Sequence, residues 1–264
     1  MSLEWRVIEP SLRSGAEIVA IDDVLHEYVG KQKSPPTVIF YHWNNVMSIG
    51  KPQALSDVNL EKCKLYNVEV VRTTGGGRAV LHLGYQDVSY SVVAPANGRG
   101  FDIIYEEFCG KIAQALQALK IPVEIRARND CYVGGRKISG NAMRLDKGAV
   151  TQHGIILYKQ HPAALTISLM NPDMYSINDV TELQARLTAV TEKNPEVTMR
   201  QLVDTLREHL TNGNFYQDDL STAEKGEIAR RKKTYEDVNW FKGDSSRGLC
   251  WLSKGEPRGS LQGY

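Results

Sequence analysis

The sequence predicts an α+β fold in which helices pack around a mixed β-sheet. Strand-like runs dominate the middle of the chain, and helical segments are inserted between them without strict β-α-β alternation. A hydrophobic fraction of 42% over 264 residues is enough to bury one sizeable core. The missing alternation disfavours a doubly wound parallel sheet.

The first half of the chain carries one clear helix and several short strands. Apolar residues recur at roughly helical spacing over 16–29, and Gly30 follows as a stop signal. The β-rich runs 37–41 and 46–49 flank Asn44-Asn45, so this stretch predicts a hairpin with a turn at the asparagines. A short helix at 60–65 and strands at 68–71 and 87–93 are expected next.

The second half contains the most regular helical pattern. Residues 103–119 predict a long amphipathic helix that ends before Pro122. Glycine-containing turns then separate the predicted strands 123–127, 131–133, 136–144 and 149–158. Two further helices are expected at 199–210 and 222–233.

Charge and terminal sequence limit the class of partner. Lys+Arg number 32 and Asp+Glu 31, so the formal charge of +1 provides no global attraction for nucleic acid or an anionic membrane. The amino-terminal residues lack the basic-then-apolar order of a signal peptide, and no apolar stretch approaches the roughly 18 residues of a membrane span. We therefore expect a cytoplasmic protein with no nucleic-acid or membrane partner.

The cysteines are too scattered to form a zinc site or a disulfide framework. None lies in a Cys-x-x-Cys motif, and in a reducing compartment each is expected to be a small buried hydrophobe. These cysteines are Cys63, Cys109, Cys131 and Cys250.

A glycine-rich loop is the first candidate site. Gly75, Gly76 and Gly77 remove every Cβ from a stretch of backbone whose amides can approach a ligand closely, and Arg72 and Arg78 flank it. Bare amides between two guanidinium groups suit a phosphate or a carboxylate. The loop matches neither a Walker A sequence nor a dinucleotide-binding motif. A tight hairpin that needs glycines explains the loop equally well on its own.

The second candidate is a lysine on a hairpin. Apolar residues 131–133 and the Gly134-Gly135 turn precede Lys137, and Ser139-Gly140-Asn141-Ala142 leaves space beside it. An ammonium there can stabilise the charge of an acyl phosphate as that group forms and departs. Taken alone, this motif is also compatible with a solvated hairpin lysine.

Four ordered motifs resemble those of the lipoate-protein ligases, within the superfamily of biotin, lipoate and octanoyl ligases and transferases. The first is Arg-Thr-Thr-Gly-Gly-Gly-Arg-Ala-Val-Leu-His at 72–82, and the second is Asn129-Asp130 with the Gly-Arg-Lys-Ile-Ser-Gly-Asn-Ala of 135–142. The third is the His-Gly strand at 151–157, and the fourth is Trp43 with Ile-Gly-Lys-Pro-Gln at 49–53. Together they span about residues 43 to 157.

The resemblance implies a fold and an activity. It implies a ligase-like catalytic domain at 1–180 that binds lipoate and an acyl adenylate, with 181–264 as a helical part of the same domain or a small appendage. The implied reaction consumes ATP with Mg²⁺, activates lipoate and transfers the lipoyl group to a lysine. The implied acceptors are lipoyl domains of 2-oxoacid dehydrogenase acyltransferase subunits and the glycine cleavage H protein. The metal ligands are not indicated by the sequence.

The resemblance also assigns roles to individual residues. It places Lys137 at the acyl carbonyl and the phosphate as the catalytic residue, Asn129 and Asp130 on the nucleotide side, and Gly50 and Gln53 at the far edge. The other implied substrate- or adenylate-binding residues are Arg72, Gly75, Gly76, Gly77, Arg78, His82, Gly140, Asn141, Ala142, His153 and Gly154.

Some positions depart from the family pattern. The family follows its pocket histidine with Asp, whereas Leu83 follows His82 here and the next acid is Asp87. Val71 stands where many ligases carry a second arginine. Ligases of the common bacterial type continue into a distinct carboxy-terminal domain, whereas this sequence ends at Tyr264, after a segment at 235–240 that faintly resembles the family's Trp-rich end of the catalytic domain. The resemblance then implies either a separate accessory polypeptide as partner or weak activation.

Two alternatives to the ligase stay open. An octanoyl- or lipoyltransferase of the superfamily needs no ATP because a cysteine thiolate carries the acyl group. Asp173 replaces the cysteine that one transferase group places after Asn-Pro, and 122–128 contains no thiol. Cys131 is then the candidate nucleophile, although the neighbouring Asp130 is expected to raise its pKa. The other alternative is a non-catalytic lipoate-binding accessory protein.

Overall fold

A computed structural model describes residues 3–172 and 179–237 of the chain. Within these residues, nine strands form one mixed sheet in the order β5-β6-β7-β8-β4-β2-β1-β9, and β3 pairs with β2. The strands are β1 Trp5–Arg13, β2 Thr37–Ile49, β3 Glu69–Arg72, β4 Val80–Pro95, β5 Glu124–Arg126, β6 Asp130–Val133, β7 Arg136–Asp146, β8 Ala149–Leu157 and β9 Phe215–Gln217. Asp173, Cys250 and part of segment 235–240 lie outside the described residues.

Helices cover both faces of the sheet. They are α1 Gly15–Gly30, α2 Leu60–Leu65, α3 Phe101–Ala118, α4 Ala163–Leu169, α5 Val180–Arg186, α6 Val190–Lys193, α7 Met199–Thr211 and α8 Thr222–Glu236, with a 3-10 turn at Leu55–Asp57. Helices α3 and α7 pack together on one face, and α1 and α8 pack on the other. The α+β prediction is confirmed. No helix in the described ranges is both long and apolar enough to cross a membrane.

The predicted hairpin at 37–49 is wrong. Both runs belong to the single strand β2, whose two parts pair with the same strand, β4. Asn45 has φ 51, and the pairing register shifts between Trp43 and Val46. The asparagines therefore form a bulge that bends the strand without reversing it, because asparagine tolerates the left-handed conformation in bulges as well as in turns.

Strands β1 and β9 are absent from the sequence prediction. In β1 the buried Arg6 interrupts the apolar pattern, and its guanidinium pairs with Glu224 of α8 at 2.7 Å. Strand β9 is only three residues long and pairs with β1 through Phe215. Leu202 and Leu206 of α7 enter the same core as Phe40 of the sheet. These contacts lead us to propose that 179–237 is an integral part of one domain with the preceding residues.

Candidate active site

A cavity of about 380 Å³ lies between the loop 73–79 and the strands β7 and β8. The glycine loop and the lysine hairpin, which are more than fifty residues apart in sequence, both contribute to its wall. The lining includes twelve of the residues indicated by the sequence: Gly76, Gly77, Arg78, His82, Asn129, Asp130, Lys137, Gly140, Asn141, Ala142, His153 and Gly154. Gly50 lines the cavity as well, whereas Gln53 does not.

Lys137 extends along its own strand towards a carboxylate. Its Nζ lies 2.8 Å from Oδ2 of Asp130, and their side chains are 18% and 8% exposed. A Cβ placed on Gly140 would be 2.8 Å from Nζ of Lys137 and 2.7 Å from its Cε. The absence of a side chain at Gly140 therefore provides the space that the lysine occupies.

The glycine loop packs closely against the turn that follows β2. The amide of Lys51 donates to the carbonyl of Gly75 at 2.9 Å. A Cβ on Gly50 would lie only 1.9 Å from the carbonyl oxygen of Gly77, so the two backbones meet where position 50 has no room for a side chain. Gly77 has φ +100, in the region that favours glycine. The loop is thus held by backbone contacts.

Arg72 and Gly75, which the family resemblance placed in the acyl-adenylate pocket, lie behind the cavity lining. Nη1 of Arg72 donates to the carbonyls of Gly50 (3.0 Å), Lys51 (3.0 Å) and Gln53 (2.7 Å). A Cβ on Gly75 would lie 2.5 Å from Cε1 of His153. Arg72 therefore holds the turn at 50–53, and Gly75 lets the loop pack on the His153 ring.

His82 is oriented by a carboxylate that comes from further along its strand. Its Nδ1 lies 3.2 Å from Oδ2 of Asp87, and its Nε2 lies 3.1 Å from Oγ of Ser48. The indole of Trp43 stacks on the imidazole at a centroid distance of 4.6 Å. Asp87 thus places a carboxylate beside His82, although Leu83 is the residue that directly follows the histidine.

Two other histidines of the cavity wall are neutral at physiological pH. Burial, assisted by the nearby His82, lowers the pKa of His153 to about 4. Burial likewise lowers the pKa of His161 to about 4, and its Nε2 lies 2.7 Å from Oγ1 of Thr166. Lys137 and Arg78 also line the wall, and their positive charges suit an anionic ligand.

The remaining wall is largely apolar, and the sequence assigned no role to its larger apolar side chains, although most of them lie within the matched motifs. These side chains include Trp43, Ile49, Leu81, Ile138, Ile155, Leu157, Leu183 and Leu187. Leu183 and Leu187 come from the region after 180, which carries no recognisable motif. An apolar cavity with a few polar groups at one side fits a medium-length acyl chain with a carboxyl end.

Cys131 is unsuited to nucleophilic chemistry. Its side chain is fully buried, and burial, together with the neighbouring Asp130, raises the pKa of the thiol to about 12. The predicted direction of the Asp130 effect is confirmed. Among the described residues, the cavity lining contains no cysteine.

Asp22, which the sequence did not single out, is a buried carboxyl of α1. Burial raises its pKa to about 7, and its Oδ1 has no hydrogen-bond partner. Because the folded state retains a proton that the unfolded chain releases near pH 4, stability present in acid is lost as the pH rises towards 7. We expect the stability advantage of Asp22→Asn over the wild type to grow by about 1 kcal/mol between pH 5.5 and 6.5 in urea unfolding. If the free energies of unfolding of the two proteins changed in parallel with pH, this expectation would be contradicted.

The chain is similar in sequence to known proteins of two related activities. The lipoate-protein ligase LplJ of Bacillus subtilis (strain 168) is 26% identical over 255 residues, which cover 91% of this chain and 75% of that protein. The octanoyltransferase LipM of Symbiobacterium thermophilum is 31% identical over 183 residues, or 60% of this chain and 66% of that protein. The chain is therefore similar both to a lipoate-protein ligase and to an octanoyltransferase.

Solved structures share the fold. A bi-partite lipoate protein ligase from Thermoplasma acidophilum, studied with its E2 lipoyl domain, superposes with a TM-score of 0.81 at 19% identity, covering 91% of this chain and 97% of that one. A lipoate-protein ligase A bound with ATP gives 0.78 at 19% identity, covering 92% and 99%. The model of the lipoyl protein ligase A/B catalytic domain matches residues 14–211, and this chain belongs to that family.

Proposed function

We propose that this protein is an ATP-dependent lipoate-protein ligase. The lipoate carboxylate attacks the α-phosphorus of ATP and expels pyrophosphate, which leaves lipoyl-AMP. A lysine amine of an acceptor domain then attacks the acyl carbon, loses a proton and expels AMP. The observation that carries the proposal is that the glycine loop and Lys137 line one cavity with an apolar wall.

The lining of the cavity suggests which groups of the protein contact each part of the substrate. The apolar wall suits the hydrocarbon part of lipoate, and Lys137 with the loop amides suits the carboxyl and phosphate groups. A ligase neighbour that binds ATP supports the nucleotide assignment. In this proposal Gly76, Gly77 and Arg78 contact the adenylate, while Arg72 and Gly75 position the loop.

Mg²⁺ would bind at this site together with the phosphates of the nucleotide. No group of three His, Cys, Asp or Glu side chains that could hold a metal occurs in 3–172 or 179–237. Mg²⁺ commonly uses one or two carboxylates together with substrate phosphates, and Asp130 brings a carboxylate to the lining. Asp130 would hold the ion, which would neutralise phosphate charge.

The acceptor and a second polypeptide are further parts of the proposal. Lipoyl domains of 2-oxoacid dehydrogenase acyltransferase subunits and the H protein are the proposed acceptors, and a neighbour studied with its E2 lipoyl domain supports that class. The same neighbour is a bi-partite ligase, which supports an accessory polypeptide as partner.

The test is a thiol-independent adenylation assay. We expect ATP, Mg²⁺ and lipoate to give AMP and a lipoylated acceptor, with Cys131→Ala within about twofold of wild type because the thiol is buried and protonated. Cys109→Ala, a second buried thiol outside the lining, is the matched control.

Other outcomes would support the alternatives. Octanoyl transfer from a carrier protein without ATP, lost in Cys131→Ala alone, would make the protein a transferase, the activity of the LipM relatives. Tight lipoate binding without AMP release or acyl transfer would make it a non-catalytic lipoate-binding protein.

A further inference from the structure

Two asparagines at the cavity rim bind each other's backbone. Nδ2 of Asn129 donates to the carbonyl of Asn141 at 2.7 Å, and Nδ2 of Asn141 donates to the carbonyl of Asn129 at 2.7 Å. Asn129 ends the loop between β5 and β6, while Asn141 lies within β7. The reciprocal pair therefore ties the loop to the sheet.

The tied loop has an unfavourable backbone conformation. Ala127 has φ 50 and Arg128 has φ 71, so two successive residues with side chains occupy the left-handed region. Such residues each cost roughly 1–3 kcal/mol, and they persist where the surroundings fix them. Ala127 and Asn129 both line the cavity, so the position of this loop shapes the cavity next to Lys137.

A tyrosine on the same face of the sheet, two strands away, fixes the orientation of Asn141. Tyr90, Gly154 and Asn141 lie in register across β4, β8 and β7. The hydroxyl of Tyr90 crosses over Gly154 and donates to Oδ1 of Asn141. A Cβ on Gly154 would be 2.3 Å from that hydroxyl and 2.2 Å from that amide oxygen, so only glycine permits the contact.

The hydrogen bond determines which end of the Asn141 amide faces the loop. Burial holds the pKa of Tyr90 well above its usual value, so the hydroxyl keeps its proton and acts as a donor. The amide oxygen of Asn141 must then face Tyr90, which leaves Nδ2 facing the Asn129 carbonyl. Tyr90 is 0% exposed and packs in the core with α3, so it does not reach the cavity itself.

We propose that Tyr90 is a positioning residue for nucleotide binding: through Asn141 and Asn129 it holds the strained loop 127–129 at the cavity rim. This inference rests on the proposed ATP-dependent activity. Without the hydroxyl, Oδ1 of Asn141 loses its donor, and only the two bonds between the asparagines still hold the loop, which is then fixed less firmly beside the nucleotide.

The test compares Tyr90→Phe with Tyr158→Phe. Tyr158 also donates its hydroxyl, to the Val197 carbonyl at 3.0 Å, but it lies outside the cavity lining. We expect both variants to lose similar thermal stability, whereas Tyr90→Phe alone raises KM for ATP, roughly tenfold for one lost hydrogen bond. Its KM for lipoate and its kcat should stay within about threefold of wild type.

A double variant separates positioning from general loosening of the core. If Tyr90 acts through Asn129, Tyr90→Phe should add little to the higher KM for ATP of Asn129→Ala. Additive effects, or an unchanged KM for ATP in Tyr90→Phe, would overturn the inference while the ligase assignment stands. If the wild type neither binds ATP in calorimetry nor releases AMP, the proposed function fails and this inference fails with it.

Discussion

Replacing Lys137 with alanine is expected to lower the rate of lipoyl transfer by about 10²-fold or more. Nζ of Lys137 sits beside Asp130 in a partly buried position, so its charge is preorganised for the acyl phosphate. A preorganised charge contact of this kind stabilises charge that develops in the transition state, and its loss lowers kcat. The measurement is single-turnover AMP release and lipoylation of an acceptor domain.

A surface lysine provides the matched control for this change. Lys225 pairs with Asp219 at 2.6 Å, with side chains 55% and 62% exposed, and it lies outside the cavity lining. Lys225→Ala therefore removes an ion-paired lysine without touching the site, and it should retain wild-type rates. Wild-type turnover by Lys137→Ala would refute the assigned role and remove the main argument for the ligase.

The sequence predicted the fold where periodicity and local signals agree. Helix α3 was expected at 103–119 and spans Phe101–Ala118, and the two carboxy-terminal helices begin where expected. The sequence-based prediction was wrong where contacts between distant strands determine the local path of the backbone. Whether Asn44-Asn45 reverses the chain depends on β4, which pairs with both parts of β2.

The candidate site also has one part that the sequence indicated and another part that it did not. Many residues that line the cavity belong to short motifs, and the resemblance of those motifs to the lipoate-protein ligases pointed to Lys137 and the glycine loop. The contacts that support those residues could not be predicted from the motifs, because they depend on the conformation of β4 and on its pairing with β8 and β7. Asp87 reaches His82 from further along β4, and Tyr90 reaches Asn141 across a strand.

Glycines on the central strands show how the sheet makes room for the site. Gly140 and Gly154 occupy neighbouring strands, and each leaves a space that another side chain fills. At Gly154 the neighbours are the buried Tyr90 and Asn141, which cannot move easily because core packing fixes them. At Gly140 the nearest neighbour is the flexible end of Lys137. A methyl group at these two positions should therefore have different consequences.

Gly140→Ala is expected to lower acyl transfer by about 10²-fold with little loss of stability. The added Cβ would meet Nζ of Lys137 at 2.8 Å, so the ammonium must move away from Asp130, and small displacements of a catalytic group cost this much. Because a flexible side chain absorbs the contact, the unfolding midpoint in urea should change little. Gly110→Ala, in α3 with open space around it, is the control and should keep full activity. Full activity in Gly140→Ala would mean that the position of the Lys137 ammonium beside Asp130 is unimportant for the reaction.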